Sequence, residues 1–325
     1  MKVTVIIPNY NGLKFMEVCM KALENQTYKD FEIIFVDNAS SDNSVGYMKE
    51  HYPEVKQIIM SENTGFSGAV NVGIKASNTP YVILLNNDTE VDKNYIKALV
   101  EVMDLDEHIF SASSKMIQYH NRELIDDAGD MYSILGWAYQ RGVGHSVNGY
   151  NKSSRVFSAC AGAAIYRRAL FEIVGYFDEM HFAYLEDIDV GYRARLHGYL
   201  NVYEPKAIVY HVGSGTSGSK YNDFKVKLAA RNSIYLNYKN MPMLQLLFNS
   251  FPLAVGFLIK WNFFKKNGFG DTYIAGIKEG IANRHECKKV KLPIRQIKNY
   301  IIVEFELIAG TFIYVKEFMI RKFTK

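Results

Sequence analysis

A chain of 325 residues that is 48% hydrophobic can bury a sizeable core, which excludes a disordered segment. With 38 basic against 34 acidic residues the net charge is +4, too balanced for a nucleic-acid binder. Cys19, Cys160 and Cys287 are odd in number and far apart, which fits a reducing compartment and excludes a disulfide framework or a structural zinc site.

The elements predicted in chain order alternate. Val3–Ile7 is a short β-branched run and reads as a buried strand. It is too short for a signal peptide, so the chain is expected to start in the cytosol. Leu13–Asn25 is helical, with Met16, Cys19, Met20 and Leu23 on one face. Phe31–Val36 is a second strand. Asp42 can cap a helix that ends before Pro53. A strand over Val55–Met60, a helix over Phe66–Ala76 and a strand over Tyr81–Leu85 follow. Asp92 can cap the next helix, through Met103.

This alternation implies a mostly parallel sheet with helices on both faces. Right-handed crossovers then bring all the strands' C-terminal ends to one edge, where open α/β sheets bind ligands. Three polar clusters sit at such ends: Pro8-Asn9-Tyr10-Asn11, Asp37-Asn38 and Asn86-Asn87-Asp88. Asp88, held on a buried strand, suits a divalent ion that takes few protein carboxylates; the same run equally fits an Asx turn into the next helix.

From Ile109 to Ile165 the pattern is less regular, and glycines between Gly129 and Gly162 point to short strands and loops. A helix near Tyr184–Leu196 follows, then strands over Leu200–Tyr203 and Ala207–Tyr210. Glu186, Asp187 and Asp189 crowd the start of that helix. The helix dipole explains acids there, while one of them at a pocket edge can serve as a general base. Spacing puts Glu186 and Asp189 on one face and Asp187 on another. His211 ends a strand and borders the Gly213–Ser219 segment, read as a flexible loop. Asn63-Thr64-Gly65 leads into a helix N-terminus that can meet a ligand oxygen.

Beyond it, Asn222–Lys239 is helical. Leu244–Phe264 and Tyr300–Phe323 are long and rich in aromatics. Asn249, Pro252, Lys260, Glu304 and Glu306 make neither a clean membrane span. Interfacial or bundle helices fit better, and the basic residues around Lys288 and Arg321 suit either a solvated face or an anionic membrane surface. Two regions are expected: an α/β catalytic domain over 1–215 and a helical region over 216–325 that associates with membrane or forms a homodimer.

The runs at residues 5–12, 36–44, 62–74, 84–91, 184–199 and 209–215, in this order and spacing, resemble the inverting family 2 glycosyltransferases with the Rossmann-like GT-A fold. Within them, the chain is most similar to rhamnosyltransferase-type enzymes of bacterial surface polysaccharide synthesis. The resemblance covers about residues 1–240 and assigns roles. Pro8, Asn9, Tyr10 and Asn11 would sit by the nucleotide, Asp37 would bond its pyrimidine base with Asn38 beside it, and Asn63, Gly65 and Asn71 would line the donor pocket. Asp88 is the last residue of the family's Asp-X-Asp motif and would hold Mn2+ or Mg2+, assisted by Asn87; His211 would complete metal or diphosphate binding. The motif here reads Asn-Asn-Asp, which leaves Asp88 as its one strong ligand. Asp187, paired with Glu186, matches the catalytic base. Arg231-Asn232 resembles a pair near the donor diphosphate or the lipid acceptor.

The implied donor is a nucleotide diphosphate sugar, dTDP-rhamnose first and a UDP-hexose second. The implied acceptor is a glycan, lipid-linked at the inner face of the cell membrane. A sugar nucleotidyltransferase would carry a glycine-rich basic loop where this chain has Pro8-Asn9-Tyr10-Asn11. A non-catalytic sugar-binding module would not need Glu186, Asp187 and His211.

Overall fold

The computed structural model describes residues 1–213, 221–291, 293 and 296–323. It opens with β1 (Val3–Asn9), α1 (Leu13–Glu24), β2 (Phe31–Asp37), α2 (Ser44–His51), β3 (Lys56–Ile59), α3 (Gly65–Ala76) and β4 (Tyr81–Leu85). β5 (Thr89–Val91), α4 (Tyr95–Leu105) and β6 (Ile109–Gln118) come next. The irregular stretch resolves into β7 (Ile125–Asp127), β8 (Asp130–Tyr132), β9 (Ala138–Gln140), β10 (Ser154–Val156) and β11 (Ala163–Arg167). Then follow α5 (Phe171–Val174), α6 (Glu186–His197) and β12 (Leu200–His211). The chain closes with α7 (Asp223–Asn240), α8 (Met243–Phe248), α9 (Ser250–Lys266), α10 (Gly270–Asn283) and α11 (Ile297–Phe323).

The main sheet runs β10-β12-β6-β11-β4-β1-β2-β3, with β5 added to β12 and β7 to β6. β1 pairs in parallel with β2 and β4, and β6 with β12. β11 lies antiparallel between β4 and β6. Alternating side chains of β1 feed two cores, as a pleated strand requires. Val3, Val5 and Ile7 meet Met16, Cys19, Met20 and Leu23 of α1 on one face. Ile6 meets Ala69, Val70 and Ile74 of α3 on the other. Both faces are therefore covered, the doubly wrapped GT-A arrangement.

Several boundaries moved for local reasons. Asn43, not Asp42, is the N-cap of α2, but Asp42 sits one residue before it: one oxygen accepts from Ser44 N at 3.0 Å and the other from Leu13 N at 3.0 Å, so it ties down the first turns of two helices. The strands expected over Leu200–Tyr203 and Ala207–Tyr210 are one strand, whose register against β6 shifts between Glu204 and Ile208. Pro205 falls in that gap and has no N–H for the ladder. The apolar run over Leu244–Phe264 breaks at Asn249 into α8 and α9, because Pro252 cannot donate to the carbonyl four residues back. α10 was not expected. It packs on α7 through Gly276 and Gly280, where an added Cβ would fall 2.4 Å from Lys227 O and 2.8 Å from Arg231 O.

The C-terminal helices share a core with the sheet-side elements. Tyr132 and Phe157 cluster with Ile188 and Tyr192 of α6, Leu236 of α7, Leu253 of α9 and Val303 and Leu307 of α11. Among the described residues, no helix is long and apolar enough to cross a membrane. The loop expected over Gly213–Ser219 lies outside the described residues except for Gly213.

Candidate active site

The polar turns converge at the C-terminal edge of the sheet. Asn9, at the end of β1, donates to Asp37 Oδ1 at 2.8 Å and accepts from Asn87 Nδ2 at 2.6 Å. All three are buried. Gly12 is required beneath them, since a Cβ there would fall 2.0 Å from Asn87 Nδ2. Asp37 Oδ2 accepts from Ser40 N at 2.9 Å. Asn11, in a left-handed turn with φ 51°, accepts from Ser41 N at 2.7 Å. Pro8 lies in β1 and Tyr10 is exposed just beyond its end.

A second knot joins the β2 and β3 ends. Asn38 donates to Asn63 Oδ1 at 2.9 Å and to Gly65 O at 3.0 Å, and accepts from Thr64 N at 3.0 Å. Gly65 has φ +74° and its Cβ would fall 2.3 Å from Phe182 O, so only glycine fits. Asn71 has other partners than a pocket: its amide bonds Phe177 N, Phe177 O and Glu179 and fixes the segment before α6.

Asp88 and His211 are brought together by strand pairing, because β5 runs antiparallel to the end of β12 with Thr89 opposite His211. His211 Nε2 lies 3.4 Å from Asp88 Oδ1, and Nδ1 lies 2.7 Å from Asp126 Oδ2. Burial pulls the imidazolium down, but its bonds to Asp126 and Asp88 outweigh that and hold it up at about 10. A metal ion here competes with that proton. The donor set fits a divalent ion: one carboxylate, one imidazole oriented from behind by a carboxylate, and the remaining positions left to phosphate and water. A cleft of about 420 Å³ opens beside it, lined by Lys14, Phe15, Asn87, Asp88, Tyr119 and Val212.

Glu186 and Asp187 begin α6. Asp187 is half-buried; it accepts from Ile188 N at 2.8 Å and Ala161 N at 3.4 Å. Burial raises its pKa above the ordinary carboxylate value, against the pull of those two N–H groups. Glu186 is buried, and one of its oxygens has no hydrogen-bond partner. Burial, then the Asp187 charge, push it well above the ordinary value. Both neighbouring acids are thus raised by burial, Glu186 with the Asp187 charge adding to it.

Asp189 is a structural acid. It is fully buried, and bonds Arg193 at 2.8 Å, Lys239 at 2.9 Å and Asn240 at 2.8 Å, which locks α6 to α7. Burial raises its pKa, but Arg193 and Lys239 outweigh this and hold it far below the ordinary range. Its stabilisation is therefore present above the unfolded value near ~4 and is lost as pH falls through the depressed folded one. Lys239→Met should cost about 3–5 kcal/mol by leaving Asp178 without its cation and Asp189 with Arg193 alone; the urea unfolding midpoint reads this directly.

The sequence reading passed over the run Asp126-Asp127-Ala128-Gly129-Asp130. Three acids in five residues beside a glycine were its signal, lost in an irregular stretch. Asp126 backs His211, and Asp130 lies beside Asp127 and Asp187, whose charges add to burial in raising its pKa. Ligand atoms of Asp127, Asp130 and Cys160 lie within 4.8 Å of one another. That cluster is a poor metal centre: Mg and Mn prefer all-oxygen ligands, and burial pushes the Cys160 thiol well up. It is a buried acid network behind Asp187, in which burial raises the pKa of both Asp127 and Asp130.

The segment leading into Glu186 is strained. Phe182, Tyr184 and Leu185 all take left-handed conformations, with φ 62°, 69° and 67°; each such residue costs about 1–3 kcal/mol. The α7 pair holds them there. Asn232 Nδ2 lies 2.8–2.9 Å from the carbonyl oxygens of His181, Ala183 and Tyr184. Arg231 Nη2 donates to Met180 O at 3.0 Å and His181 O at 3.1 Å, and its Nη1 pairs with Glu279 at 3.2 Å. The guanidinium clamps the strap rather than standing free. Asn232→Ala should lower turnover by up to about 100-fold, the effect of misplacing a reacting group by an ångström, while nucleotide affinity is retained. An equal fall in affinity would place the strap in the donor pocket instead.

The comparisons agree with this architecture. The N-acetylglucosaminyl-diphospho-decaprenol L-rhamnosyltransferase of Mycobacterium tuberculosis is 26% identical over 243 residues, 66% of this chain and 77% of its own. GalNAc-T7, solved with UDP, GalNAc and Mn2+, superposes with a TM-score of 0.60 at 17% identity, covering 73% of this chain and 48% of that one. S. aureus TarS 1-349 in complex with UDP-GlcNAc gives 0.56 at 19% identity, with 87% and 81% covered. The family described as Glycosyl transferase family 2 matches residues 4–175, more than half of the chain. This protein belongs to glycosyltransferase family 2, with the GT-A fold.

Proposed function

We propose that this glycosyltransferase moves a sugar, rhamnose from dTDP-rhamnose first, from a pyrimidine nucleotide diphosphate to a hydroxyl of a lipid-linked cell-surface glycan, with inversion. The observation that carries the reading is that one short acidic run links two acid sites: Asp126 backs His211 beside Asp88, and Asp130 lies next to Asp187. In this reading Asn9, Asp37 and Asn38 hold the nucleoside. Asp88 and His211 hold a Mn2+ or Mg2+ ion, which when bound neutralises charge on the diphosphate.

Asp187 accepts the proton of the acceptor hydroxyl as that oxygen bonds to the anomeric carbon. The bond to the diphosphate oxygen breaks on the opposite face, and its electron pair leaves with the nucleotide. Burial raises the pKa of Asp187, which strengthens it as a base. The rhamnose choice leans on the mycobacterial relative; a UDP-hexose donor leans on TarS, whose complex holds UDP-GlcNAc.

The test is transfer from dTDP-rhamnose and from UDP-hexoses to a polyprenyl-diphosphate-linked N-acetylglucosamine, with the anomeric configuration of the product read by NMR. A rhamnosylated, inverted product supports the first reading, and a hexosylated one the second. No product from any donor favours a nucleotide-sugar-binding protein without transfer.

A further inference from the structure

Helix α11 is apolar nearly all round, a pattern normally found in helices covered on every side. Its inner face is accounted for. Val303 and Leu307 enter the core cluster, Gly310 packs on Tyr132, and Tyr314 meets Trp137 and Tyr139. Its outer face is not. Ile301, Phe305, Ile308, Phe312, Val315 and Met319 recur at spacings of four and three and are exposed, Phe305 by 68% and Phe312 by 71%.

The two neighbouring helices repeat this. Met243, Leu244, Leu247 and Phe248 of α8 are exposed, as are Phe251, Leu258, Ile259 and Phe263 of α9, with Phe248 at 73% and Phe251 at 78%. The helices are held together from within. Gln245 and Asn249, in and just after α8, both donate to Glu304 of α11, and Trp137 joins Gly256 of α9 to Tyr314 of α11. Apolar exposure on this scale marks an interaction surface.

Charge decides what covers it. α8 and α9 contain no acidic residue. The three carboxylates of α11 are turned inward and engaged: Glu304 by Gln245 and Asn249, Glu306 by Arg195, and Glu317 by Tyr150 and Gly142. Most cations stay outside: Lys265, Lys266, Lys298, Lys316 and Lys322 are exposed, while Lys260 and Arg321 are half-buried. A twofold contact between copies would set this cationic, apolar patch against itself, whereas an anionic lipid surface complements both its charge and its apolar side chains.

We infer that the exposed phenylalanines and lysines of α8, α9 and α11 form a face that docks on an anionic lipid bilayer. The aromatic rings enter the interface and the lysines meet the headgroups. This docking does not depend on which sugar or acceptor the site uses, and it can fail or hold independently of the transfer reaction.

The experiment is flotation of the full chain with phosphatidylcholine vesicles, with and without phosphatidylglycerol, across a salt series. Alongside run two variants, Lys298→Gln with Lys316→Gln and Phe305→Ser with Phe312→Ser, each checked for folding by circular dichroism and a wild-type-like cooperative thermal transition. The wild type is expected to float with the anionic vesicles alone and to release with salt. Removing two lysines should weaken binding about 30-fold, and the phenylalanine pair should abolish it. No binding to anionic vesicles overturns the inference. So does equal binding to neutral vesicles, or a dimer by light scattering that the phenylalanine variant converts to monomer.

Discussion

Asp187→Asn should lower turnover by about 10²–10⁴-fold, the contribution of a positioned general base, and leave donor affinity intact. Asparagine keeps the shape and the oxygen that accepts from Ile188 N. Its amide replaces the oxygen that accepts only a long 3.4 Å contact from Ala161 N, so the cost to the fold is small. What is lost, in the proposed reaction, is the lone pair that takes the acceptor's proton. Glu186→Gln serves as the contrast. It is isosteric with Glu186 and puts a neutral group where burial already disfavours charge, so it should change turnover little. Steady-state kinetics on the pair separate a base from a merely acidic neighbourhood, and equal losses in both would reject the assignment of Asp187.

Asp88→Ala should abolish the metal-dependent part of donor affinity, a loss of at least about 100-fold, since even residues one step behind a metal ligand cost 10–100-fold. Removing this carboxylate also leaves His211 with Asp126 as its acidic partner. Asp126→Asn should therefore weaken metal binding by about 10–100-fold without touching the ion. Nucleotide titrations over a manganese series check both. If Asp88→Ala binds donor as wild type does at every manganese concentration, the metal site lies elsewhere.

Much of the sheet edge was legible because it is local. β-branched runs ending in Asn, Asp and Gly announce strand ends, and the right-handed crossover rule sends Asn9, Asp37 and Asp88 to one edge. The pairing of Asp88 with His211, 123 positions apart in the sequence, needed the resemblance, because the β5–β12 bridge that makes it is three residues long. The surroundings of Asp187 were less legible. Asp126, Asp127 and Asp130 sit on strands of three residues each, too short to show a period. Among three acids at one helix start, spacing could not separate Asp189, bound by Arg193 and Lys239, from Asp187. Tertiary partners made that distinction. Asn71 and Arg231 show the same limit, since their amide and guanidinium are spent on main-chain groups of the segment before α6, contacts that no local pattern encodes. α10 escaped notice because its buried side is built of glycines, which carry no apolar signal.

The most direct test of the central claim is calorimetric titration of the full chain with dTDP-rhamnose, UDP-hexoses and the free nucleoside diphosphates, with and without manganese. This account predicts that one pyrimidine diphosphate sugar binds tightly only with the ion present, and that Asp88→Ala loses that binding while Asp187→Asn retains it. If no nucleotide sugar binds under any metal condition, the assignment of the sheet edge as a donor site is contradicted.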